Sequence, residues 1–99
     1  MNNNDLSSMY ETDIRKNFNN LDTLISNIKF SDKSNKSNLL SQADKLIKDT
    51  EMKIKNYQIS SEYSDTSKIK EFQKKFQSYK KKINTVSKDN SNYKSSNNN

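Results

Sequence analysis

The chain has 99 residues, a formal charge of +6 and a hydrophobic fraction of only 28%, with no Gly, Pro, Cys, His or Trp. Such a length holds one small domain. The missing residue types exclude disulfides, thiolate or imidazole catalysis, sulfur metal ligands and glycine-rich phosphate loops.

Residues 1–6 read as polar filler, disordered and outside the domain. Ser8 followed by Glu11 has capping-box spacing and predicts a helix over about 8–29. Asp13 adds a carboxylate to its first turn, where the helix dipole favours one. Tyr10, Ile14, Phe18, Leu21, Ile25 and Ile28 recur at steps of three and four, so they form a single apolar stripe. Phe30 and the run Ser31-Asp32-Lys33-Ser34-Asn35 end the periodicity with turn and cap chemistry.

A second helix is expected over about 36–58, starting near Ser34 or Ser37. Its stripe is Leu39, Ala43, Leu46, Thr50, Ile54 and Tyr57, widened by Leu40 and Ile47. Asp44 with Lys48, and Asp49 with Lys53, are i,i+4 pairs in the favourable orientation and mark a solvated face. Residues 58–64 break the pattern, and Ser64 or Asp65 suits the N-cap of a third helix over about 65–88. There Ile69, Phe72, Phe76, Tyr79, Ile83 and Val86 form the most regular stripe of the chain. Residues 90–99, built from Asn, Ser, Lys and Tyr, read as the disordered start of a linker. Connections of about five to eight residues cannot run back along a helix, so neighbours must be antiparallel. The expected fold is all-α: an up-down-up three-helix bundle over 7–89 with a disordered C-terminal tail. Tyr63, Ile59 and Phe30, outside the stripes, are expected to close the core ends.

Candidate chemistry is sparse. Glu11 with Asp13, and Asp49 with Glu51, are carboxylate pairs two apart, which a helix points about 200° from each other, so surface charge is the better reading. No catalytic, metal-binding or cofactor-binding residue emerges, and an enzyme is not expected. The basic excess lies mainly in residues 61–99, which carry nine lysines against four acids. At 100° per residue Lys70, Lys74, Lys81 and Lys88 share the face opposite the stripe, a candidate electrostatic surface. Lys68, Lys75, Lys80 and Lys82 flank the stripe and can lay their methylenes over the core edge. A solvated face is the better reading for the first four, ahead of acidic lipid and then nucleic acid, since Arg15 is the one arginine. No nucleic-acid partner is expected. The first residues lack a signal peptide's basic start and apolar run, and no stretch could span a membrane.

Tyr10-Glu11-Thr12-Asp13-Ile14 resembles the Tyr-Glu-x-Asp-Phe start of the Vti-type SNARE N-terminal domain. The third helix is closer to it, in Phe72, Phe76, Ser78-Tyr79-Lys80, Ile83, Val86 and Asp89. Ala43-Asp44-Lys45, Ile47, Ile54, Tyr57 and Ile59 align with its middle, so the likeness covers about residues 8–89. One departure is Tyr57-Gln58-Ile59-Ser60, where the family tends to carry acids. The resemblance implies a Habc-type bundle, the regulatory head of a Qb-SNARE in endosome–Golgi vesicle transport and membrane fusion. It implies an epsin-related trafficking adaptor as partner, and cognate SNAREs engaged through a fusion helix outside this fragment. It also implies a membrane anchor in the full-length protein, on the cytosolic face of endosome or Golgi membranes, the fragment itself being soluble. A chain cut within the linker fits that expectation. The alternative is a generic helical interaction module whose lysine face binds acidic lipid or nucleic acid, and a homo-oligomeric coiled coil is a further rival.

Overall fold

The structure, a computed structural model, describes the backbone of residues 2–60 and 66–98 and the side chains of residues 6–60 and 66–88. It is a bundle of three helices, α1 (Asn2–Phe30), α2 (Lys33–Ser60) and α3 (Thr66–Asn98). The direction of each helix follows from cross-contacts. Lys53 of α2 meets Asp13 of α1 while Asp49 meets Asn17, an antiparallel pair. Lys68 meets Glu11 and Tyr79 meets Phe18, so α3 runs parallel to α1 and the topology is up-down-up.

The helices are longer than the expected spans. α1 takes in residues 2–6, which were expected to be disordered, and Ser8 lies exposed inside it rather than capping it. Glu11 accordingly does not reach back to Ser8 but bonds Arg15 and Lys68. The α3 backbone stays helical to Asn98, beyond the expected end near Lys88. Without glycine or proline nothing locally forbids continuation, and Asn and Ser cost a helix only about 0.7 kcal/mol or less per residue.

The first connection is also shorter than expected, just Ser31 and Asp32 between two helices. α2 starts at Lys33, one residue before Ser34, and Asp32 is its N-cap. Its Oδ1 accepts the Asn35 N–H at 3.0 Å and the Ser34 hydroxyl at 3.2 Å, and its carbonyl accepts the Lys36 N–H at 2.9 Å. α1 closes without a left-handed residue, since none of the described residues has positive φ. Ser31 does that work, its N–H and hydroxyl both donating to the Ile28 carbonyl. Ser60 donates likewise to the Tyr57 carbonyl at the end of α2. The cap assigned to Ser64 or Asp65, and Tyr63, lie outside the described residues.

The three stripes meet in one core. Ile14, Phe18, Leu21, Ile25 and Ile28 of α1 are buried, with Tyr10 packed at their edge. α2 contributes Ala43, Thr50, Ile54 and Tyr57, with Leu39, Leu40, Leu46 and Ile47 half-buried beside them. α3 contributes Ile69, Phe72, Phe76, Tyr79 and Val86, while Ile83 of the same stripe is half-buried. The middle layer is aromatic, with at least one ring from each helix. Phe18 stacks on Tyr79 at 5.2 Å, and Phe72 meets Phe18 at 6.1 Å and Tyr57 edge-on at 5.5 Å. Phe30 and Ile59 do not close the core ends: they are 86% and 76% exposed. Each sits near its helix end but outside the buried stripe, Phe30 at the rim of a groove between α1 and α3, an orientation that nearness to a helix end does not decide.

Candidate interaction surfaces

Among the described residues no group of three or more Asp, Glu, His or Cys could hold a metal ion. No helix is long and apolar enough to cross a membrane, among the same residues. The paired carboxylates diverge as the helix geometry requires. Glu11 turns toward α3, accepting Lys68 Nζ at 3.2 Å and Arg15 at 3.1 Å, whereas Asp13 turns toward α2 and Lys53 at 3.6 Å. Burial alone would raise the Glu11 carboxyl, but hydrogen bonds from Lys68 and Arg15, with their charges, outweigh it and hold it below its ordinary value. Asp49 faces Asn17 and Lys53, while Glu51 is exposed. The expected pairs of Asp44 with Lys48 and Asp49 with Lys53 form at 3.3 and 3.5 Å.

One polar node lies in the α1–α2 seam, and sequence patterning gave no sign of it. Asn17, only 8% exposed, donates from Nδ2 to Asp49 Oδ2 at 2.9 Å and to Thr50 Oγ1 at 3.0 Å. The buried Thr50 hydroxyl in turn donates to the Leu46 carbonyl at 2.6 Å. A search for apolar side chains passes over Asn17, although it sits three residues after Ile14 and four before Leu21.

Apart from Lys68, which pairs with Glu11, the described lysines of α3 divide into two sets. Lys70, Lys74, Lys81 and Lys88 are all exposed, on the face turned from the core. The flanking set lies over aromatic rings instead: Lys75 over Phe18 at 5.9 Å, Lys80 over Phe76 at 5.5 Å and Lys82 over Tyr79 at 5.4 Å. Arg15 covers Phe72 from the α1 side at 5.2 Å. These cations roof the core edge with their stems, which limits how far they can reach toward a partner. Beneath Lys82, burial and the Asp22 carboxylate that accepts its hydroxyl push Tyr79 up to about 12.

Among the described residues a shallow groove runs between each pair of helices. The α1–α2 groove, about 540 Å³, sets Lys45 near Asp49, and the α2–α3 groove, about 320 Å³, sets Lys55 near Glu51. The α1–α3 groove, about 470 Å³, is different: Lys29, Lys81 and Lys82 line it with Phe30, and Asp22 is its one carboxylate. Compared with known protein families, characterised proteins and solved structures, the chain matches none.

Proposed function

We propose that this chain is a non-catalytic helical interaction domain, and that it serves as the N-terminal, adaptor-binding head of a Vti-type SNARE in endosome–Golgi vesicle transport and membrane fusion. The observation that carries the reading is the use of the three stripes. All of them pack into one intramolecular core, leaving the outer helix faces and the grooves as surfaces for work among the described residues. Phe72, Phe76, Tyr79 and Val86, on which the resemblance rests most, are core residues here, as a Habc-type bundle would require. In the full-length protein a fusion helix would engage cognate SNAREs, and a membrane anchor would hold the head at the cytosolic face of endosome or Golgi membranes. Titration with an epsin-related adaptor domain tests the partner. Saturable binding by the folded chain supports it, and no binding at high adaptor concentration overturns it. Circular dichroism showing a mostly unfolded chain at room temperature would overturn the whole reading.

A second reading is favoured by one observation, the exposure of Lys70, Lys74, Lys81 and Lys88 along one face of α3. That face would dock on acidic lipid or nucleic acid through charge alone, with affinity falling steeply as salt rises. Liposome flotation and filter binding at low salt decide it, since absence of both removes this reading.

A further inference from the structure

The α1–α3 groove is lined by those two helices alone. Both contribute residues at the same spacing, from Asp22 to Phe30 on α1 and from Ser78 to Val86 on α3. Steps of three, one, three and one keep each set on one helix face, and the helices run parallel. The groove is therefore a straight trough about 12 Å long, or two helical turns. Its floor is apolar, formed by the buried Ile25 and Val86. Its walls carry Lys29, Lys81 and Lys82, all exposed, and Phe30 stands at one end 86% exposed. Asp22, the one carboxylate, already accepts the Tyr79 hydroxyl. The other two grooves balance a lysine with an acid and present no exposed aromatic ring.

We infer that this trough docks an acidic amphipathic helical segment of a partner protein, a proposal that rests on reading the domain as a protein-interaction module. Apolar side chains of the segment, two turns long, would lie on Ile25 and Val86 and against Phe30. Flanking Asp or Glu side chains would meet Lys29 and Lys81, while Lys82 stays over Tyr79 and adds its charge to the wall. Helix-in-groove recognition has this division, with apolar anchors giving affinity and flanking charges giving orientation and rate. The concave shape favours a peptide over a bilayer, because a flat lipid surface would touch the lysine tips and leave the apolar floor uncovered.

The probe is a synthetic helical peptide of about four turns, with leucines on one face and glutamates elsewhere. Its controls are the same peptide with every glutamate replaced by lysine, and vesicles containing phosphatidylserine. Amide chemical-shift changes should be confined to residues 22–30 and 78–86. Lys29→Glu with Lys81→Glu should weaken binding about tenfold or more, whereas Lys70→Glu with Lys74→Glu, an equal change of net charge, should change it less than about twofold. All four positions are exposed, and circular dichroism checks that each variant keeps its helices. Phe30→Ala should also weaken binding without loss of fold. Absence of peptide binding, equal binding of the lysine peptide, shifts spread over other faces, equal weakening by both double variants, or binding to vesicles but not peptide would each overturn the proposal. An adaptor that binds outside the trough would overturn it while leaving the proposed function standing. Peptide binding in the trough without adaptor binding would do the reverse.

Discussion

Asn17 ties α1 to α2 through a single side-chain nitrogen, which gives to both Asp49 and Thr50 in the buried part of the seam. Buried polar groups left without partners cost more than the bonds themselves return. Asn17→Ala should therefore lower unfolding free energy by about 1–3 kcal/mol in chemical denaturation. Asn17→Asp should be worse at neutral pH, because a second carboxylate would face Asp49, and should recover stability as the pH falls into the carboxylate range. Two further side chains make stability depend on pH in opposite directions. Glu11 is held below its ordinary 4.5, so its contribution is present above that value and is lost as pH falls through the folded value. Tyr79 is pushed up from 10.0 to about 12, so its contribution is present below 10 and is lost as pH rises from 10 to 12, where the unfolded chain ionises first. Denaturation midpoints measured across pH should show the acid loss reduced in Glu11→Gln and the alkaline loss reduced in Tyr79→Phe.

At the level of the elements, the end of α1 and both ends of α2 are made by side-chain oxygens, not by glycine. Asp32→Ala should cost about 1 kcal/mol by removing the α2 cap, whereas Asp32→Asn should cost only a few tenths, since an amide oxygen can still accept the Asn35 N–H. Thermal denaturation of the two variants checks the difference. The stripes themselves were plain in the sequence, because steps of three and four leave an apolar face with no other placement. Asn17 was not, since its burial depends on a threonine and an aspartate that lie 33 and 32 residues away. The ends of the helices are not legible in the sequence for a related reason. A serine spaced for a capping box at Ser8 is silent when the helix has already begun, and Asp32 acts only because α1 stops beside it. Phe30 and Ile59 were placed correctly along the bundle but not around it, since their azimuth falls outside the stripes. The groove that Phe30 borders could not be read at all, because it needs α1 and α3 in register.

For the whole molecule, closure of all three stripes within one chain leaves no apolar stripe for a second copy among the described residues. The large exposed apolar residues, among them Met9, Phe30, Met52 and Ile59, are divided between two helices and make no stripe. Sedimentation equilibrium should therefore give a single species near 11.6 kDa, and a dimer would show that the helices pair between chains instead. The buried stripe of α1 sets which way that helix faces, and Glu11 and Asp13 add to it from the surface. One is tied to Lys68 on α3 and the other to Lys53 on α2, from nearly opposite sides of α1. Each pair is weak, because both are partly in solvent. Their arrangement matters more than their strength: turning α1 about its own axis in either sense lengthens one pair as it slackens the other. The two act as guy-lines on a mast, and what they hold constant is the angle at which Lys29 and Phe30 are offered to anything that approaches.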